Sequence, residues 1–239
     1  MSMENNSFLE QMPPVTRNII AINAIVGLTD FVLGKWGIDL VNWLGLFNFG
    51  YSAFHGAYSF HIWQPFTYMF MHSGFWHFFC NMFAVWMFGP IIEREWGAKR
   101  FIIYYMVCGI GASVVQEFTW ALATGDYPAV TIGASGAVFG ILLAFAWLFP
   151  EQKMFLLFIP IPISSRIFVG LYALLELAAG FSGLPGDNVA HFAHLGGMVF
   201  GFVLIKIWQY KDNNKGRKGR FQVYEGRDFS EYHYKDPIK

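Results

Sequence analysis

The chain has 239 residues, of which 55% are hydrophobic, 20% aromatic and only 13% charged. Soluble domains carry about 25% charged residues, so most of this surface must face something other than water. Formal net charge is zero, which argues against a nucleic-acid partner, and Cys80 and Cys108 both lie in apolar stretches, which argues against a disulfide framework.

Met1 to Pro14 is polar and acidic and lacks the charged-then-apolar layout of a signal segment. It is expected to be a short tail in the compartment of synthesis. A helix needs about 20 mostly apolar residues to cross the hydrocarbon layer, and six segments approach that length. They run from about Asn18 to Gly34, Gly74 to Ile92, Phe101 to Ala123, Ser135 to Phe149, Arg166 to Phe181 and Val189 to Tyr210. Breakers support these ends: Gly89-Pro90, Gly125 with Pro128, Pro150, Pro160 with Pro162, and Gly183 with Pro185-Gly186. The connection from Lys35 to about Ser73 is rich in Trp, Phe and Tyr and poor in charge, so it is expected to lie at the membrane interface. The fold class is therefore an all-α membrane protein, a six-helix bundle with a short fourth helix. Residues 1–16 form one tail, 17–210 the membrane domain, and 211–239 a basic, partly disordered tail. No internal repeat of the transporter kind is visible.

Basic residues set the orientation. Six spans place Arg17, Arg94, Lys99, Arg100, Lys153, Arg166 and every basic residue from Lys206 onward on one side, and only Lys35 on the other. Losing or adding one span would scramble this split. Both termini are expected on the cytoplasmic side.

Polar groups at membrane depth are costly and mark functional positions. The second segment carries His77 and Asn81 four apart, on one helix face, able to aim two donors at one spot. The fourth opens with Gly133-Ala134-Ser135-Gly136. From Ser135 to Phe149 it spans about 22 Å at 1.5 Å per residue, short of a hydrocarbon layer about 30 Å thick. Pro150 ends it near one face, so Ser135 is expected below the other, at a helix start inside the membrane. Irregular backbone at that depth must line a wet cavity or be buried in protein. A helix N-terminus supplies free N–H groups and a partial positive charge, which suit a nucleophile whose reaction generates an oxyanion.

On the sixth segment His194, Gly197 and Gly201 form one stripe, and on the fourth Ser135, Gly136, Phe139 and Gly140 share a face. Small-residue faces allow close helix contact; if these two meet, Ser135 and His194 touch. No carboxylate is placed to complete a triad: Asp187 precedes the sixth helix, Glu176 lies in the fifth and Glu117 well along the third. A Ser–His dyad is expected, with His194 packed against Phe139. A metal site from His72, His77, His191 and His194 is not expected, because the spacing of a helical zinc pair is missing, and no cofactor is implied.

Together these residues resemble the rhomboid family of intramembrane serine proteases. The resemblance rests on His72, His77 and Asn81, on Gly133-Ala134-Ser135-Gly136, and on Ala193-His194-Leu195-Gly196-Gly197 followed by Gly201, in this order on the second, fourth and sixth helices. It covers roughly Trp63 to Trp208 and implies a bacterial-type six-helix member of the inner membrane, multi-pass, with transmembrane proteins as substrates and the bilayer as surroundings. It implies Ser135 as nucleophile and His194 as general base and then acid. It also implies His77 and Asn81, with the Ser135 N–H, as the oxyanion site. The fifth helix and the loop from Ser182 to Asn188 would be gate and cap, and Gln116 and His72 would help hold water. Departures from relatives are Trp63-Gln64 in place of Trp-Arg, Glu93-Arg94-Glu95 in place of Glu-x-Arg, and Phe139 where some members carry Tyr. The alternative is an inactive rhomboid-like protein that holds or escorts membrane helices.

Overall fold

The structure, a computed structural model, describes residues 12–50, 60–122, 129–156, 159–182 and 190–214. The readings made for most of the N-terminal tail, for the cap residues 183–188 with Asp187, and for residues 215–239 lie outside these. Among the described residues, six apolar helices form an all-α membrane bundle: α1 Pro14–Gly34, α2 Phe75–Trp96, α3 Ala98–Leu122, α4 Ser135–Leu148, α5 Ser165–Ser182 and α6 His191–Asn214. Five are long and apolar enough to cross a membrane; α4, at 14 residues, is the short one.

Four helix ends differ from the expected ones by three residues or more: α3 starts at Ala98 rather than Phe101 and α6 runs to Asn214 rather than Tyr210, and the other two have a visible cause. α1 starts at Pro14 rather than Asn18. Proline is pre-set for the first helical turn, and the free N–H groups of Val15 and Thr16 both donate to the Glu93 carboxylate of α2, at 2.9 and 2.7 Å, with Thr16 Oγ1 adding a third bond at 2.7 Å. Glu93 thus caps a helix 77 residues away in sequence. α2 runs through Pro90 and stops only at Gly97, whose φ of 82° favours glycine.

α4 is the hub, with eleven of its residues buried between α2, α3 and α6. The small-residue faces do meet. A Cβ added to Gly197 on α6 would lie 2.7 Å from the carbonyl carbon of Gly136 on α4, and one on Gly140 would strike Cys108 of α3. Hydrogen bonds fix the same contacts: Tyr104 Oη donates to the Gly140 carbonyl at 2.8 Å and Tyr68 Oη to that of Gly109 at 2.7 Å. At the far end, Arg100 at the start of α3 grips Asp212 of α6 with two bonds of 2.8 Å. α1 and α5 lie at the periphery. Ile25, Leu28 and Phe31 on α1, and Leu171, Leu174 and Leu175 on α5, are exposed, as lipid-facing side chains should be.

Two small antiparallel ribbons accompany the helices. β1 (Leu46–Phe47) pairs with β2 (Val130–Thr131), tying the long first connection to the chain entering α4, and β3 (Lys153–Leu156) pairs with β4 (Ile159–Ser164) between α4 and α5. The side chain of Gln64 is fully buried and accepts a bond from the Phe47 N–H at 3.3 Å. That residue therefore helps hold the first connection together.

Candidate active site

Ser135 is the first residue of α4, held in place by the turn before it. Gly133 has a φ of 124°, and a Cβ there would lie 2.6 Å from His77 Nε2, so only glycine fits the turn and lets the His77 ring approach. The Gly133 N–H donates to the Tyr68 carbonyl at 2.9 Å, anchoring the turn to the first connection. The Oγ of Ser135 lies 2.8 Å from Nε2 of His194 on α6. The ring of Phe139, one turn along α4, stacks on His194 with centroids 4.4 Å apart and planes 10° from parallel. The fourth and sixth helices thus bring together the three side chains the sequence singled out, with Phe139 as the expected stacking surface.

The expectation that no carboxylate is placed to extend a Ser135–His194 dyad is corrected. Glu176 of α5 is buried, and its Oε2 lies 2.8 Å from Nδ1 of His194. The same oxygen lies 2.7 Å from Nδ1 of His191, one turn earlier on α6. Serine, histidine and glutamate form a continuous line across α4, α6 and α5. The side-chain atoms of Glu176, His191 and His194 that could serve as metal ligands, one from each, all fall within 4.8 Å of one another. At these lengths they are engaged as hydrogen-bond partners. A signal for Glu176 was present: it is the one carboxylate in the apolar run from Ser165 to Ser182, where an unneeded charge is expensive. Helix periodicity could not reveal which neighbouring helix it faced.

His77 stands on the other side of Ser135. The Ser73 N–H donates to its Nδ1 at 3.3 Å, and Ser73 Oγ lies 3.0 Å from the same atom. A nitrogen that accepts an N–H bond carries no proton, so the proton of neutral His77 sits on Nε2, the atom facing Gly133. Asn81 lies a turn further along α2, where one amide N–H donates to the His77 carbonyl at 2.9 Å, so that donor is spent on its own helix.

His72 packs edge-on against His77, with centroids 5.0 Å apart. Neither of its ring nitrogens meets hydrogen-bond geometry with a described residue. Burial, with the neighbouring His77 second and a weaker opposing backbone interaction at Phe70, lowers its pKa to about 4. Gln116 on α3 is buried with Oε1 unpartnered among the described residues. A polar site with unmatched buried groups suits ordered water.

A model of the Rhomboid domain matches residues 59–211. The chain belongs to the rhomboid family. It is 34% identical over 154 residues to the mitochondrial Rhomboid protein 1 of Saccharomyces cerevisiae, covering 64% of this chain and 44% of that protein. It is 34% identical over 156 residues to RHOMBOID-like protein 5 of Arabidopsis thaliana, covering 62% and 46%. It is 33% identical over 141 residues to the rhomboid protease GluP of Bacillus subtilis, covering 59% and 25%. The chain spans less than half the length of each of these relatives. This rhomboid is a multi-pass membrane protein.

Proposed function

We propose that this rhomboid is an intramembrane serine endopeptidase that cleaves transmembrane segments of other proteins. The observation that carries the reading is the 2.8 Å approach of Ser135 Oγ to His194 Nε2 at the start of a buried helix. In this reading Ser135 Oγ attacks the substrate carbonyl while its proton passes to His194 Nε2. As the C–N bond breaks, His194 returns that proton to the leaving amine. Water then enters by the same base and releases the acyl group. The Nε2–H of His77 and the N–H groups at the α4 N-terminus stabilise the oxyanion, an interaction worth about 3 kcal/mol per donor. Asn81 joins them through its second amide N–H, the one not donated to the His77 carbonyl. Gly133 admits the His77 ring, Phe139 supports His194, and His72 and Gln116 hold water in the cavity.

An inactive member that escorts membrane helices would keep the fold and cavity, but would have no use for a hydrogen-bonded serine and histidine. Reconstitution in liposomes with a model transmembrane substrate separates the two. Wild type should cleave, and Ser135→Ala and His194→Ala should not. Equal cleavage by all three would reject the dyad at the centre of this reading.

The basic-residue split supports both termini on the cytoplasmic side of a bacterial inner membrane, with residues 17–210 as the membrane domain between two tails. A reporter fused after Tyr210 should score as cytoplasmic; an outward score would reject that orientation. Relatives named as mitochondrial make a mitochondrial membrane the competing location, and fractionation of the tagged protein in its own host decides it.

A further inference from the structure

Glu176 is a buried carboxylate on a helix that contributes no other hydrogen bond to the Ser135–His194 pair among the described residues. We propose that Glu176 is the positioning residue of His194, holding its Nδ1 proton so that Nε2 is kept as the acceptor facing Ser135. The inference rests on the protease reading above and adds a member to its machinery.

Proton count decides which ring nitrogen of His194 is protonated. A neutral imidazole carries one N–H. The carboxylate of Glu176 can only accept, so the 2.8 Å contact to Nδ1 places that proton on Nδ1. Nε2 is then a bare lone pair, 2.8 Å from the Ser135 hydroxyl. The opposite tautomer would leave Nδ1 and a carboxylate oxygen facing each other as two acceptors and would give Nε2 no lone pair to receive the Ser135 proton. Orientation is fixed as well. Phe139 stacks on the ring, and the two edge bonds stop it from turning in its plane. His191 donates to the same Oε2 at 2.7 Å, which holds the carboxylate in place from the other side.

During attack the Ser135 Oγ–H bond breaks, Oγ bonds to the substrate carbonyl carbon, and the proton moves to Nε2. His194 then carries a positive charge in a poorly solvated site, next to the ionised Glu176. The Nδ1 proton stays on His194 throughout, and the Nε2 proton leaves with the amine. Among the described residues, the other titratable groups around this line are Tyr172 on α5, His77 and Cys80 on α2, and His191 on α6 itself. None of these is a second carboxylate. Because Glu176 arrives on α5 while the reacting pair sits on α4 and α6, movement of α5 would withdraw the positioning group and leave the pair in place.

The test compares the full-length wild type with Glu176→Gln and Glu176→Asp in liposomes. Cleavage of a model transmembrane substrate, labelling by a fluorophosphonate probe and thermal unfolding are measured for each. Glutamine offers one oxygen and one NH2 to two histidine donors, so kcat and the labelling rate should fall about a hundredfold. KM should stay within about twofold. Aspartate keeps the charge and should recover part of the loss. A glutamine variant with wild-type kcat would overturn the proposal. So would one in which kcat, KM and unfolding temperature all deteriorate and aspartate does no better, since that is a purely structural role. If neither variant folds, nitrogen NMR of labelled histidine in the wild type decides, with His194 assigned by its loss in His194→Ala. An Nδ1–H tautomer supports the role, and an Nε2–H tautomer overturns it. A wild type that neither cleaves nor labels rejects the protease reading instead, and the tautomer still reports on Glu176.

Discussion

Replacing Gly197 by alanine tests the close backbone contact between α4 and α6. The added Cβ would lie 2.7 Å from the carbonyl carbon of Gly136 and nearer still to its oxygen. Non-bonded carbons rest at about 3.5–4.0 Å. Both sides of the clash are helix backbone, so no side chain can rotate away, and α4 and α6 must separate by about 1 Å. Gly136 adjoins Ser135, and Gly197 lies one turn past His194, so the gap opens beside the reacting pair. Stretching their 2.8 Å contact by that amount takes it beyond hydrogen-bond length. A misplacement of about 1 Å costs on the order of a hundredfold in rate, and overpacking of a tight contact costs about 1–3 kcal/mol of stability. Cleavage of a reconstituted substrate measures the first, and thermal unfolding in detergent the second. Gly170→Ala on α5 is the control, because nothing lies within 4 Å of its Cβ. It should unfold at or slightly above the wild-type temperature, since alanine is the better helix former by about 1 kcal/mol. If Gly197→Ala keeps both wild-type rate and wild-type stability, the two backbones are not in contact and the reasoning fails.

Glu93→Ala should destabilise the protein by at least about 3 kcal/mol, because three donors around Thr16 lose one buried carboxylate; unfolding in detergent measures this, and a loss below about 1 kcal/mol would contradict the capping role. Phe139→Leu should lower kcat by up to about tenfold through loss of the stacked ring on His194, with probe labelling slowed in parallel; unchanged labelling would show that packing does not hold the histidine. His72 has a folded pKa of about 4 against an ordinary 6.5, so the unfolded chain binds its proton first as pH falls. Its contribution is intact above pH 6.5 and is lost between 6.5 and about 4, reaching about 3 kcal/mol. His72→Gln should therefore show a shallower fall in unfolding temperature over that window, and parallel curves for the two proteins would refute the assignment.

What was legible before the structure was everything that rests on backbone and small residues. Hydropathy located six helices because a membrane span must be apolar along its length. The facing of α4 and α6 was legible because glycine stripes have few uses other than close approach. Ser135, His194 and Phe139 then followed, since each sits at a fixed phase from those glycines. Helix ends were less legible where a distant group decides them. α1 starts at Pro14 because Glu93 caps it, and no local pattern near residue 14 announces a carboxylate from α2. Asn81 shows a related limit: helix phase puts it one turn from His77, but does not reveal the hydrogen bond its amide chooses.

Glu93 and Glu176 make the point sharpest: both are buried acids on membrane helices, Glu93 in the charged Glu93-Arg94-Glu95 end of α2 and Glu176 in an apolar run of α5, and each is costly unless matched. One is matched by the N–H groups and hydroxyl at a helix start, and so becomes a structural cap. The other is matched by two imidazole donors, one of them 2.8 Å from a serine through its opposite nitrogen, and so lies in line with the proposed chemistry. Burial alone cannot separate these roles, since both carboxylates are buried. The discriminating fact is the identity of the donor. A backbone N–H has its proton fixed by the peptide and can only be held. An imidazole N–H has a second nitrogen whose state depends on where the first proton sits, so binding one edge of the ring sets the reactivity of the other. A buried acid against a peptide donor is thus evidence about folding, whereas a buried acid against a histidine that also touches a hydroxyl is evidence about catalysis.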